Sequence, residues 1–280
     1  MKRRTLLKGA AALATYPWLS ACGGDNEPMT TGNSLERIGI QLYTVRDRMA
    51  ADVPGTLEQI AAIGYDEVEF AGYFDHTPAE IKSMLDANGL VSPSSHVSLA
   101  DIRNTPEQLL ESARTIGNRY VVLAWLSPED RGTLDAYRQH IELVAGFAEQ
   151  CARAGLQFCW HNHDFEFVEL EGQVPMDMIL GQTDPEFVQV ELDFYWTAVA
   201  GVDPLSYFER HPGRFPLCHV KDMADDGSIA DVGDGTIDFA RLFAASEIAG
   251  LKHYFVERDD PQISMETASR SYAAVSTVTF

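Results

Sequence analysis

Four segments in the second half of the chain end apolar, strand-like runs with side chains able to bind metal ions. They are Trp-His-Asn-His at 160–163, Glu-Leu-Asp at 191–193, Cys-His-Val-Lys-Asp at 218–222 and Val-Glu-Arg-Asp at 256–259. They recur at the step of a strand–helix unit, so successive strands would aim imidazoles and carboxylates at one point, as at the mouth of a barrel. His161 and His163 straddle Asn162 and, in an extended segment, face the same side; one of the two suffices as a ligand. Asp193 closes an apolar run, where a buried carboxylate must be paired or bound to a cation to offset its desolvation. Glu191, two residues earlier on the same face, is an alternative as a supporting partner. His219 and Lys221 share a face. Glu257 ends the last strand, and Arg258 and Asp259 beyond it read equally well as a surface ion pair. Earlier in the chain Glu69, His96 and Trp125 close strands of their own. A carboxylate, an imidazole and an indole lining the same pocket suit a polyhydroxylated ligand, although each also reads as a packed or capping loop residue.

The elements that would position these groups alternate along the chain. A short apolar strand at 38–43 precedes helical spacing of Leu57, Ile60 and Ala61 and a stop at Gly64. Strands at 67–71 and 91–97 are followed by helices at 78–88 and 106–116, each with a glycine (Gly89, Gly117) just beyond its end. The strand at 120–125 leads into a long helix at 134–154 with Ile141, Val144, Ala145 and Ala148 on one face. Further strands at 156–161, 188–193, 217–220 and 253–257 are separated by helical stretches at 175–181, 203–210, 238–246 and 262–275. The strands read as apolar throughout, which predicts a parallel sheet covered by helices on its outer side. A closed (β/α)8 TIM barrel is the leading architecture and a doubly wound open sheet the runner-up. No Gly-rich dinucleotide fingerprint follows the first strand, which counts against the open sheet.

The first 34 residues are of a different kind. Lys2-Arg3-Arg4-Thr5-Leu6-Leu7-Lys8 is a twin-arginine leader, followed by an apolar stretch from Gly9 to Leu19 that is too short to span a bilayer. Leu19-Ser20-Ala21-Cys22 matches a lipoprotein-processing box, with Cys22 as the lipidated residue. Residues 1–22 thus form an export signal, 23–34 a polar, Gly- and Pro-bearing tether, and 35–280 a single barrel domain with no internal composition break. The expected location is outside the cytoplasm, anchored by lipid alone to the bacterial membrane and facing the periplasm or cell exterior. The 21 basic and 42 acidic residues give a formal charge of −21. Removing the four cations of the signal leaves 17 against 42, a balance of −25 that repels nucleic acid and other polyanions. Cys151, Cys159 and Cys218 are odd in number and lie in apolar contexts, as buried thiols rather than a disulfide framework.

Several blocks carry a family resemblance. Gly39-Ile40-Gln41-Leu42-Tyr43-Thr44-Val45-Arg46-Asp47, the run from Gly64 to Tyr73, Ser94-Ser95-His96-Val97 and His161-Asn162-His163-Asp164-Phe165-Glu166-Phe167 are together similar to sugar phosphate isomerase/epimerase proteins of the xylose isomerase-like barrel superfamily. The likeness runs from about Ile38 to the C-terminus. It implies one divalent ion held by a Glu, an Asp, a His and a Glu from the last four strands, hence Asp193, His219 and Glu257. The first Glu is replaced here, since His161-Asn162-His163 stands where relatives read Glu-Asn-His, making His161 the implied fourth ligand. Trp196 stands where epimerases of the superfamily commonly place a substrate-binding His.

The resemblance implies enediolate chemistry, in which a carbonyl is polarised and a carboxylate removes the adjacent proton. With His161 in place of a carboxylate, symmetric two-base epimerisation is disfavoured against one-base isomerisation, dehydration or β-elimination from a 3-keto-glycoside. Glu257, His163 and Glu166 are then the candidates for handling protons, with Glu69, His96, Trp125, Trp196 and Lys221 contacting substrate. Two imidazoles and two carboxylates suit Mn²⁺, Zn²⁺, Co²⁺ or Fe²⁺ more than Mg²⁺. An exported, strongly acidic chain favours a neutral sugar, keto-sugar or glycoside over a sugar phosphate. Two other classes compete: a lipid-anchored carbohydrate-binding protein without turnover, and metal-assisted phosphodiester hydrolysis, which the acidic surface opposes. Replacing Cys22 by Ala is expected to move the protein from the membrane to the soluble fraction, because no other stretch can insert. Replacing both Arg3 and Arg4 by Lys is expected to stop export; normal secretion of that variant would place it on the general secretory route.

Overall fold

The computed structural model describes residues 32–280, of which Asn33–Phe280 form one unit. The expected export signal, Cys22 and the tether up to Thr31 lie outside the described residues. Seven parallel strands follow in chain order: β1 (Gly39–Gln41), β2 (Glu67–Phe70), β3 (Val91–Val97), β4 (Tyr120–Leu123), β5 (Gln157–His161), β6 (Val188–Asp193) and β7 (Leu217–Val220). Two short strands, β8 (Asp222–Met223) and β9 (Ile229–Ala230), then pair as an antiparallel hairpin. The last strand, β10 (His253–Val256), pairs with both β7 and β1 and closes an eight-stranded (β/α)8 TIM barrel.

The helices follow from local signals. Pro78–Asn88 starts on a capping box, with the Thr77 hydroxyl accepting from the Glu80 N–H and the Glu80 carboxylate accepting from the Thr77 N–H. It ends at Gly89, whose φ of +68° lies in the left-handed region that a glycine enters without strain. Three helices of six residues, Arg46–Ala51, Leu99–Asn104 and Phe194–Val199, are too short to show a period in the sequence. The last two are set by side-chain caps, Ser98 and Asp193. The first strand is shorter than its apolar run suggests. The Gln41 side chain accepts from the Tyr43 N–H and turns residues Leu42–Val45 into a 3-10 helix. Asn33, expected in the tether, exchanges two backbone hydrogen bonds with Phe280, so the folded unit includes residues before the expected start at Leu35.

The strands are not apolar throughout. Their outward side chains, such as Val68, Phe70, Val190 and Leu192, pack under the helices, while the inward ones become polar toward the C-terminal ends. The period of two sets this division. Tyr120, Val122, Cys159, Leu217 and Phe255 fill the lower barrel as one apolar cluster. Above it, Glu69, His96, His161, Glu191, Asp193 and His219 occupy the interior. Cys151, Cys159 and Cys218 are buried free thiols, as expected.

Close packing of the lower barrel depends on Gly39, where an added Cβ would stand 2.4 Å from Cδ1 of Phe255. Gly39→Ala is therefore expected to destabilise the barrel by about 1–3 kcal/mol through overpacking, read as a lower urea midpoint. Phe255→Leu in the same chain should recover part of the loss.

Candidate active site

The register brings the strand-end residues to two adjacent levels. His161 pairs with Glu191 and Asp193 with His219, so neighbouring strands deliver imidazole beside carboxylate. His219 is wholly buried and shared between two groups. Its Nδ1 lies 2.8 Å from Oε2 of Glu257 and 3.7 Å from Oδ2 of Asp193. Its Nε2 lies 2.9 Å from Oε2 of Glu69 and 3.3 Å from Oε2 of Glu191. The same Glu191 oxygen is 2.7 Å from Nε2 of His96 and 3.3 Å from Nδ1 of His161. Among the described residues, two sets of side chains are thus close enough to hold an ion: His96, His161, Glu191 and His219, and Asp193, His219 and Glu257. The implied quartet of His161, Asp193, His219 and Glu257 is not gathered as one set.

Lys221 follows β7 and points into the second set. Its ammonium is 3.3 Å from Asp193, 2.9 Å from Glu257 and 2.7 Å from Asp259, all at carboxylate oxygens. Asp259, which reads from sequence as half of a surface pair with Arg258, instead closes this ion network, and Arg258 binds Asp231 at 2.6 Å. Burial alone would raise the Glu257 carboxyl, but Lys221 and His219 outweigh it and hold Glu257 well below the usual carboxylate range. Burial, then the nearby Glu257, pushes Asp259 up to about 6. Desolvation keeps His161 and His163 neutral, His163 being lowered to about 3. For Glu191, burial and the neighbouring Glu69 push the carboxyl up to about 7.

A cavity of about 1220 Å³ opens above these groups, with His96, His161, His163, Lys221, Glu257 and Asp259 at its inner end. Trp125, 47% exposed, stands on its wall as expected. Three expected site residues lie elsewhere. Glu69 lies below the cavity, fully buried, accepting from Nε2 of Gln41 at 2.7 Å and supporting His219 from beneath. Trp196 does not line the cavity either. Its ring packs 5.3 Å from His163 and 5.2 Å from the Lys221 ammonium, a placement fixed by the Asp193 cap on its helix. Glu166 is buried on the side of β5 that carries Trp160, accepting from the His163 N–H at 2.8 Å and the Trp160 indole at 3.3 Å. It holds the 161–166 loop and does not reach the cavity. Gln41 and Glu191 carry more of the site than their sequence contexts reveal; the alternation of Glu191 with Asp193 on β6 was the available signal.

The donors suit a divalent cation. Glu69, Glu191, Asp193 and Glu257 are at most 5% exposed, and Lys221 is the one Lys or Arg among them. Oε1 of Glu69, Oε1 of Glu191 and Nδ1 of His161 are buried without hydrogen-bond partners. Buried carboxylates and orphaned donors of this kind are stabilised by an ion, and mixed imidazole and carboxylate donors match a borderline one such as zinc.

Known proteins share this fold. The inosose dehydratase of Geobacillus kaustophilus is 23% identical over 242 residues, spanning 69% of this chain and 78% of that protein. A sugar phosphate isomerase/epimerase from Parabacteroides distasonis superposes with a TM-score of 0.74 at 24% identity, over 91% of this chain and 98% of that one. An IOLI protein crystallised with a zinc atom superposes with a TM-score of 0.70 at 17% identity, over 87% of this chain and 99% of that one. The model of the xylose isomerase-like TIM barrel family matches residues 57–258, and the chain belongs to that family.

Proposed function

We propose that this protein is a divalent-metal-dependent enzyme that removes the proton beside a carbonyl in a neutral keto-sugar, keto-polyol or keto-glycoside and expels water or an alcohol from the next carbon. The observation that carries this reading is the Glu257–Lys221–Asp259 network, its first two members buried and Asp259 partly exposed, at the inner end of a large cavity beside the imidazole–carboxylate cluster. Similarity to an inosose dehydratase supports elimination over epimerisation. So does His161, which takes the place of the second carboxylate that a two-base epimerase needs.

A divalent ion, when bound, supplies Lewis acidity that makes the C–H next to the carbonyl acidic. The protein's own groups do the rest. Glu257, kept ionised by Lys221 and His219, takes the α-proton. The freed electron pair forms a C=C bond as the C–O bond at the β-carbon breaks, and the departing oxygen takes a proton to leave as water or alcohol. Asp259, raised to about 6, stands beside Lys221 to give that proton, and neutral His163 can hydrogen-bond a substrate hydroxyl. Lys221 is the one Lys or Arg among the cavity-lining residues, and three carboxylates already engage it. A phosphorylated sugar would therefore meet no free cation, and a neutral substrate fits better.

Glu257→Gln keeps the shape but not the basicity, and should lower elimination by about 10²–10⁴-fold. NMR of inosose and 3-keto-glycosides in D₂O would follow α-proton exchange and product together. Undiminished exchange in that variant would leave His163 as the base. Sugar binding with neither exchange nor product in the unaltered protein would make it a binding protein.

A further inference from the structure

We propose that Glu191 supplies the carboxylate that β5 lacks, so that the ion is held by His96, His161, Glu191 and His219, while the Lys221 ammonium holds Asp193 and Glu257 in the ion's stead. This assignment rests on the proposed metal dependence and names the ligands.

Three observations converge on it. Glu191 sits level with His161 on the neighbouring strand, so a carboxylate moved from β5 to β6 still faces the same interior point. Its Oε2 stands 3.3 Å from Nδ1 of His161 and 3.3 Å from Nε2 of His219. Two ligands at 2.0–2.1 Å from one tetrahedral ion are separated by about 3.3–3.4 Å. Nδ1 of His161 is buried and has no hydrogen-bond partner, although Glu191 lies beside it, so its lone pair is free to meet a cation.

His219 decides between the two sets. A ligating histidine donates its other ring N–H to a carboxylate, which fixes its tautomer. Here Nδ1 lies 2.8 Å from Oε2 of Glu257 and Nε2 2.9 Å from Oε2 of Glu69, so the tautomer protonated on Nδ1 bonds Glu257 and leaves Nε2 directed at Glu191 and Glu69. Binding an ion between Asp193 and Glu257 would require Nδ1 to give up that bond and Lys221 to leave two carboxylates 3.3 and 2.9 Å away. On the other side, Glu69 accepts from Gln41 below the imidazoles and completes their support.

The test is the metal content and spectrum of the purified protein loaded with Co²⁺ or Zn²⁺. Glu191→Gln and His96→Ala are expected to weaken ion binding by at least ~100-fold, whereas Asp193→Asn and Glu257→Gln retain one ion per chain. The unaltered Co²⁺ protein provides a check free of folding effects: paramagnetic NMR should show shifted imidazole signals from three histidines. Two histidines, or loss of the ion in Asp193→Asn with retention in Glu191→Gln, would overturn the assignment while leaving metal dependence intact. A protein that binds no ion in any form would overturn both.

Discussion

Burying several carboxylates in one barrel interior is the constraint on which the rest of this structure depends. Glu69, Glu191, Asp193 and Glu257 are within a few per cent of complete burial, and an ionised carboxylate in such surroundings is costly unless a positive partner or hydrogen-bond donors face it. Each is answered by neighbours, some of them shared. Gln41 and His219 serve Glu69, His96 serves Glu191, the Asn162 amide oxygen and the Trp196 N–H fix the peptide and side chain at Asp193, and Lys221 spans Asp193 and Glu257. These carboxylates are therefore held by strands and their hydrogen bonds rather than by loops, which keeps them in place before anything binds.

The same constraint explains what the sequence discloses and what it hides. The barrel was legible because the outward faces of the strands are mostly apolar and the helices between them carry their own caps and glycine stops. The inward faces were harder to read. On β2 and β6 the sequences Glu-Val-Glu-Phe and Val-Gln-Val-Glu-Leu-Asp alternate, but a four- to six-residue alternation marks only that one face is polar, not that it faces the barrel interior. Strand ends gave His161, His163, His219, Lys221 and Glu257 at the inner end of the cavity or just beneath it. Depth along a strand is what one sequence does not encode, and it separates Glu69, below the cavity, from His96, one strand over and at its wall.

Loop geometry accounts for the remaining misplacements. Glu166 follows the His-Asn-His segment closely enough to look catalytic, yet the turn after β5 folds its carboxylate back onto the His163 N–H and the Trp160 indole, where burial pushes it up to about 8. Trp196 is carried behind His163 by the short helix that Asp193 caps. Asp259 moves the other way: the chain after β10 brings it over Lys221, turning an expected surface pair into the third carboxylate, itself partly exposed, around a buried ammonium. The Glu166 and Trp196 displacements each turn on one capping or backbone bond, a signal too local to be read from spacing.

A parallel barrel makes this arrangement tolerant of exchange between strands. Neighbouring strands in register place residues such as His161 and Glu191 at one height, about 5 Å apart in the hydrogen-bonding direction and within reach of a common point. A carboxylate lost from one strand can thus be replaced from the next without moving the centre. The polar layer retains its charge and donor count while the side chains that supply them change places. What must stay fixed is the residue that both groups share, and that is His219: fully buried on β7, with one ring nitrogen committed to Glu257 and the other to the interior. It ties the deep imidazole–carboxylate layer to Glu257 at the cavity, so the layer that shapes the site and the side chains that face the cavity keep a common frame.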